Sequence, residues 1–468
     1  MKNLRPPIVT ILGHVDHGKT TLLDAIRKTN VAGKEAGGIT QSIGASIVTT
    51  KEGRRITFID TPGHAAFSRM RSRGAKVCDI ALLIVASDDG VKPQTKEAID
   101  IIREANIPFI VVLTKTDLPS SDCDSAISQL EKEGISFEGK GGDIPYLKVS
   151  AKKNEGLDEL LEMVILIADV NEIVANPEGG LEAFVVETKK DKRGNLASII
   201  VRDGSLEVGN KIMVDGSVTK VRGIFNYIDK PVRKILPGEP GLILGFETLP
   251  EVGAKVEDFR DESLNHYGKK NEKKPLDKGN IDGEKLNLVL KTQTSGSLEA
   301  VLSGLPADVG IISFGVGNVI EADIFTAKTS KNCRVFAFES KVAPNISKLA
   351  DTEGVLIEKF SVIYKLFERV DEILKMGEEE ILGEAEIVAV FPFENKKVAG
   401  CKVVKGKIGK NDILKIERKK SALGSVKAVS MRKEKKDISE AKQGEEFGVI
   451  FNPQLDFAIG DMLVSVRK

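Results

Sequence analysis

The sequence predicts a multidomain α/β plus β fold: an α/β domain, a β-barrel, an α/β/α domain, a connecting helix and a C-terminal β-barrel. Three observations lead there. The chain has 468 residues, too many for one ordinary core and suited to about three or four domains of ~100–200 residues each. Over its first third, short apolar runs alternate with helical patterns, as buried strands linked by helices do. That texture gives way twice to short β-branched segments punctuated by glycine.

In residues 1–175 the apolar runs Ile8–Leu12, Ile56–Ile59, Ile80–Ala86, Phe109–Leu113 and Tyr146–Val149 read as strands of a mostly parallel sheet. Thr95–Ala105 and Leu157–Val170 read as helices between or after them. Residues 181–258 carry short strands such as Ala183–Thr188, Ala197–Val201 and Lys211–Val214, separated by glycine turns, which predicts a barrel. Residues 259–284 are charged and broken by Gly268, Pro275, Gly279 and Gly283, the composition of a linker. From 285 to 358 the α/β alternation returns, with strands Leu286–Lys291, Val309–Phe314 and Arg334–Phe338 and helices from Ser297, Ala322 and Ala343. Ile363, Leu366, Phe367, Val370, Ile373 and Leu374 form a helical stripe within 359–378, which suits a helix packed on its own domain or a free connector. Residues 383–468 read as a second barrel.

Composition narrows the function classes. Lys+Arg and Asp+Glu both number 69, so a generally basic nucleic-acid coat is excluded while a local patch is not. Aromatics are 5% and Trp is absent, leaving few stacking surfaces for single-stranded nucleic acid. Cys78, Cys123, Cys333 and Cys401 lie far apart with no C-x-x-C, which predicts reduced thiols. The opening Met1–Pro7 lacks the apolar core of a signal peptide, and no apolar segment is long enough to cross a membrane, so a cytoplasmic protein is expected.

Chemistry concentrates near the start. Gly13-His14-Val15-Asp16-His17-Gly18-Lys19-Thr20 fits G-x-x-x-x-G-K-[ST] between a strand and the helical Thr21–Lys28. In that setting the loop wraps phosphates with backbone N–H groups, Lys19 reaches the β/γ-phosphates and Thr20 ligates Mg²⁺. Asp60-Thr61-Pro62-Gly63-His64 follows the next strand. An acid there suits the Mg²⁺ shell, Gly63 can present its N–H to a γ-phosphate, and His64 can orient the attacking water. Gly37-Gly38-Ile39-Thr40 lies between helix and strand, where Thr40 can join the Mg²⁺ shell when a γ-phosphate is present.

Thr114-Lys115-Thr116-Asp117 ends another strand and differs by one letter from N-K-x-D, the base reader of guanine-nucleotide switches. Asp117 can accept from the guanine N1–H and 2-amino group, a donor pair adenine lacks. The Lys115 stem can lie over the base, and Ala151, in Ser150-Ala151-Lys152, can donate its N–H to O6. A buried acceptor left unpaired costs about 1–3 kcal/mol, which discriminates against adenine. Thr114 is shorter than Asn and is expected to tether the loop less firmly, with base identity unchanged.

These segments together resemble a known family. G-H-V-D-H-G-K-T, E-A-G-G-I-T-Q-S-I-G-A, D-T-P-G-H-A-A-F and D-D-G-V-K-P-Q-T, in this order and spacing, closely resemble bacterial-type translation initiation factor 2, a family of ribosome-activated GTPases. Downstream, V-R-D-G-S-L-E-V-G, S-G-S-L-E-A, G-V-G-N-V-I-E-A-D, V-I-Y-K-L and V-A-G-C-K-V-V-K-G-K-I agree, so the resemblance covers nearly the whole chain. It implies GTP/GDP and Mg²⁺ as cofactors, and the small and large ribosomal subunits and formylmethionyl initiator tRNA as partners of a monomer off the ribosome. It makes residues 13–21 the phosphate site, Thr20 and Thr40 the Mg²⁺ ligands, and Gly38, Thr40 and Gly63 switch residues. His64 matches the catalytic histidine, and Asp16 an acid that helps hold a monovalent ion or water near the phosphates.

In the last barrel the resemblance places tRNA contacts at Arg432, Lys433 and Lys435 and at Glu446, Phe447 and Gly448. The pattern alone equally fits a solvated charged turn. The family usually has Cys where Phe447 stands and an aromatic where Glu434 stands. A bulky Phe447 is expected to reshape the aminoacyl pocket, and Glu434 adds a charge unfriendly to RNA phosphate. The alternative function is therefore a GTP-dependent ribosome-binding or assembly factor that does not recognise the formylmethionyl group.

Overall fold

The structure, a computed structural model, describes residues 3–29, 44–63, 65–259, 286–375, 380–393, 396–418, 421–434 and 436–467. Gly38, Thr40, His64, Lys435 and nearly all of the 259–284 segment lie outside the described residues. The chain folds as two compact units, Met1–Val370 and Asp371–Lys468.

The first unit opens with β1 (Asn3–Leu4), β2 (Ile8–Gly13), α1 (Lys19–Arg27), β3 (Gly44–Thr49), β4 (Arg55–Asp60), α2 (Ser68–Val77), β5 (Ile80–Ala86) and α3 (Pro93–Ala105). It continues with β6 (Phe109–Thr114), α4 (Cys123–Lys132), β7 (Tyr146–Lys148), α5 (Leu157–Val170) and β8 (Val174–Ala175). The sheet order is β3-β4-β2-β5-β6-β7, with β3 antiparallel and every other pairing parallel. The central strands are apolar on both faces because both faces are covered. On one side Val9, Ile11 and Ile84 pack with Leu22, Leu23 and Val164. On the other Leu83 and Val85 pack with Ala98, Ile102 and Leu130. Parallel strands linked this way put all their C-terminal ends, and the loops that follow them, along one edge.

Strands between Glu182 and Asp258 form an antiparallel barrel. Its closure is made by chain continuity. The edge strand Ser217–Lys220 runs on through Arg222, whose N–H donates to the Leu244 carbonyl at 2.8 Å, into Gly223–Phe225, which pairs with Pro240–Phe246 at the other edge. Gly245 sits at this corner with φ 152°, and a Cβ there would lie 2.3 Å from the Lys220 carbonyl oxygen.

Next comes a four-stranded parallel sheet ordered Val309–Val316, Leu286–Thr292, Cys333–Phe338, Leu356–Phe360. Its helices are α6 (Ser295–Gly304), α7 (Glu321–Lys328), α8 (Pro344–Glu353) and α9 (Ile363–Lys375). α6 starts two residues before the expected Ser297 because the Thr294 side chain caps it, accepting the Ser297 N–H at 3.2 Å. α9 buries Ile363, Leu366 and Val370, and a Cβ on Gly304 would lie 2.3 Å from the Phe367 ring, so the helix lies against the end of α6.

Polar and apolar side chains join these parts at two places. Arg5, on the short link between β1 and β2, grips Asp79 with both terminal nitrogens at 2.6 and 2.7 Å, and Arg202 of the barrel reaches the same carboxylate at 3.5 Å. Elsewhere α2, the barrel and α6 converge. Arg69 and Arg73 bond Glu299 at 2.8 and 2.6 Å, and Glu187 accepts the Thr188 and Gly296 N–H groups at 2.8 and 3.2 Å.

The second unit is a closed barrel. Its strand Glu380–Phe393 pairs with Lys396–Gly409 on one side and Met462–Arg467 on the other, and the ring continues through Ile413–Arg418, Ser421–Lys433 and Glu446–Asn452. Ile387, Cys401, Ile416, Phe447, Phe451 and Leu463 fill it. All four cysteines are free thiols, and burial pushes Cys333 up to about 11 and Cys401 up to about 12, well away from reactivity. No described helix is long and apolar enough to cross a membrane.

Candidate nucleotide-binding site

The loop after β2 is built on backbone conformations that few residues adopt. Gly13 has φ 150°, and a Cβ there would lie 2.4 Å from the Ile84 carbonyl oxygen, so β5 comes too close for any other residue. Asp16 takes the left-handed region at φ 62°, and Gly18 takes it at φ 87° as the residue before α1. Such a turn aims successive N–H groups into one concavity at a helix N-terminus, a ready site for phosphate oxygens. The Val15 N–H instead donates to Gln94 Oε1 at 2.9 Å.

Lys19 is folded into this concavity. Its ammonium donates to the Gly13 and His14 carbonyls at 3.0 and 2.5 Å. Burial pulls its pKa down to about 8, against the opposing charges of Asp60 and Asp16. Gly63 abuts it so closely that a Cβ at Gly63 would meet the ammonium nitrogen. The segment after β4 is pinned on both sides of that contact. The Thr61 hydroxyl donates to the Ile11 carbonyl at 2.7 Å. Arg71, 1% exposed, donates to the Pro62 carbonyl at 3.0 Å and pairs with Glu97 at 2.6 Å. His17 is buried beneath the loop, its ring edge-to-face with His14 at 5.0 Å, and burial pulls its pKa down to about 4, so it is neutral at physiological pH.

Across the same sheet edge, Thr114 ends β6 and is buried. Its hydroxyl donates to the His17 carbonyl at 2.6 Å, and its carbonyl accepts from Ser87 Oγ at 2.8 Å. Weaker tethering was expected of Thr than of Asn. The short side chain reaches nevertheless, because the loop passes close at Gly18, where a Cβ would sit 3.8 Å from Thr114 Oγ1. Lys115 turns the chain in the left-handed region at φ 58°, and Thr116 is half-buried. Asp117 is held by the buried Ser150, whose hydroxyl donates to it at 2.8 Å and holds its carboxyl below the usual range. Ser150 Oγ also accepts the Lys153 N–H at 3.2 Å, closing the turn that carries Ala151 and Lys152.

The fold thus brings the residue 13–20 loop, Asp60–Gly63, Thr114–Asp117 and Ser150–Lys152 to one edge; Thr21 lies just inside α1 with its side chain exposed. The Thr20 hydroxyl and the buried Asp60 carboxylate are hard oxygen donors beside a phosphate-shaped loop, so they fit Mg²⁺, which neutralises charge on the β- and γ-phosphates when bound. Sequence reasoning missed Arg71 and Gln94 as supports. Gln94 stood inside the quoted D-D-G-V-K-P-Q-T, but Arg71 had no signal beyond one arginine in a basic helix.

In the second unit, Arg432 pairs with Asp437 at 2.7 Å and Lys433 with Glu445 at 2.8 Å, while Glu434 is exposed in the turn at φ 48°. Glu446 is exposed, and Gly448 stands opposite Gly400. Strand alternation turns the Phe447 ring into the barrel core, 4% exposed, where it stands opposite Cys401.

The family described as Elongation factor Tu GTP binding domain matches residues 5–169, Elongation factor G domain 2 matches 180–259, and Translation-initiation factor 2 matches 261–371. Translation initiation factor IF-2 of Dehalococcoides mccartyi is 39% identical over 99% of this chain and 82% of that protein. Its Aquifex aeolicus counterpart is 39% identical over 98% of this chain and 60% of that protein. Among solved structures, GDP-bound aIF5B from Aeropyrum pernix is 28% identical, with a TM-score of 0.48 over 99% of this chain and 92% of that one. With relatives matched along nearly its whole length, the chain belongs to the translation initiation factor IF-2 family, the GTPases of translation initiation.

Proposed function

We propose that GTP held at this edge is hydrolysed on the ribosome by a water that His64 orients, and that the cycle promotes binding of formylmethionyl initiator tRNA to the small subunit and the joining of the large one. The protein works in the cytoplasm, as a monomer off the ribosome. The observation that supports this best is the contact between Gly63 and the Lys19 ammonium. A γ-phosphate drawing Lys19 off the loop carbonyls would lie against the Gly63 backbone, so its loss on hydrolysis is felt first in the segment that carries His64. Lys19 and the loop N–H groups hold the phosphates, and Thr20, joined by Thr40 in the GTP state, would hold the Mg²⁺, which would neutralise phosphate charge. Asp117 and the Ala151 N–H read the base. As water adds to the γ-phosphorus, the bond to the β–γ bridging oxygen breaks and GDP leaves with its electron pair. Charge builds on oxygens that Lys19 and the loop face.

His64→Ala tests the assignment. Ribosome-stimulated turnover is expected to fall about 10²–10⁴-fold. The dissociation constants of GTP and GDP are expected to stay within about twofold, because the change removes a group that acts only in the transition state. Turnover that survives the substitution overturns the role of His64.

A further inference from the structure

We infer that Thr114 makes this guanine site blind to the base's N7 atom, so that specificity rests on the other polar edge of the base alone. The inference deepens the nucleotide reading above and rests on it. Guanine presents the N1–H and 2-amino donors and the O6 acceptor on one edge, and N7 as a further acceptor beside O6. Asp117 suits the donor pair, being an acceptor-only group held in place by the Ser150 hydroxyl at 2.8 Å. A protein group that reads N7 must be a donor. At the end of β6 the Thr114 side chain reaches the phosphate loop, and a hydroxyl has one hydrogen to give.

That hydrogen is already committed. The hydroxyl is buried, and it points at the His17 carbonyl at 2.6 Å, with the Val85 carbonyl a distant second acceptor at 3.5 Å. Turning it toward a base would leave the His17 carbonyl without this bond and break the link between base loop and phosphate loop. An Asn amide at this position has two hydrogens, one for the carbonyl and one to spare. Thr114 keeps the tether and gives up the reading, and so marks a difference in specificity within an otherwise complete site.

The test is equilibrium competition against a fluorescent GDP, using the whole protein and three nucleotides. These are GTP, 7-deaza-GTP, in which N7 is replaced by C–H, and ITP, which lacks the 2-amino group. For the wild type, 7-deaza-GTP is expected to bind within about twofold of GTP and ITP about tenfold or more weaker, the size of one lost hydrogen bond to a charged group. Thr114→Asn is expected to open a gap of about five- to tenfold between GTP and 7-deaza-GTP. A wild-type penalty above about fivefold for 7-deaza-GTP, with ITP still weak, overturns the blindness at N7 and leaves the Asp117 reading standing. A Thr114→Asn protein that binds GTP normally but shows no gap also overturns it, since residue 114 then does not face N7. Equal binding of ITP and GTP overturns the guanine reading and this inference with it.

Discussion

Lys19 carries its charge where burial resists it, and that tension has a pH signature. In the free protein its pKa is pulled down to about 8, chiefly by burial. Phosphates restore the charged form, so the pKa in the complex is higher. Below about pH 8 both states hold the proton and affinity is flat. Above it, binding must first take up a proton, so GDP affinity is expected to fall as pH rises, by up to about tenfold per unit until the complex itself titrates. Calorimetric GDP titrations between pH 6.5 and 9.5 check this, and an affinity that rises above pH 8 contradicts it. At this scale the loops that meet at the sheet edge were legible. Lys19, Asp60, Thr114 and Asp117 belong to loops whose chemistry is written locally in glycine spacing and strand ends. Arg71 was not legible, because its buried bond to Pro62 depends on how α2 lies over the sheet. The burial of Phe447 was not legible either, because it depends on which face of the barrel its strand position takes.

Among the elements, the strand Glu182–Asp191 and α6 meet around a carboxyl group with an unusual proton affinity. Glu187 is buried, accepts two backbone N–H groups through Oε1, and is pushed up to about 7 by burial. An unfolded glutamate titrates near 4.5. Between those values the folded chain holds a proton that the unfolded chain has lost, so stability falls as pH rises from about 4.5 to 7 and levels off above. The contribution is on the order of 3 kcal/mol. Glu187→Gln is expected to keep both N–H bonds and to remove this decline, seen as a smaller drop in Tm between pH 5 and 7.5. If the wild type and variant lose Tm in parallel, Glu187 is not the group responsible. Sequence patterns located most of these elements because apolar period and glycine punctuation are local. The short β3 edge strand went unread, since its half-buried alternation over six residues carries too little signal. Helix starts shifted with caps: Pro93 and Thr294 begin α3 and α6 ahead of the apolar periodicity.

For the whole molecule the balance of charge matters more than any one contact. The net charge is zero, and in the last barrel Arg432 and Lys433 already have acidic partners. Under the proposed function, binding of tRNA is therefore expected to rest little on phosphate neutralisation. On that proposal the 468-residue chain, titrated with formylmethionyl initiator tRNA and with its deacylated form, should prefer the former. The log–log salt slope should be shallower than about −2, because each neutralised phosphate adds about −0.7 to −0.9. No preference for the acylated form favours the reading of a ribosome-binding or assembly factor. Gly296 carries a last consequence. A Cβ there would overlap the end of the Met70 side chain and lie 2.8 Å from Glu187 Oε2, so side chains of α2 and the barrel meet at this glycine of α6. The position works as a gauge of fit: any side chain placed there makes the flexible ends of Met70 and Glu187 give way before the elements that carry them.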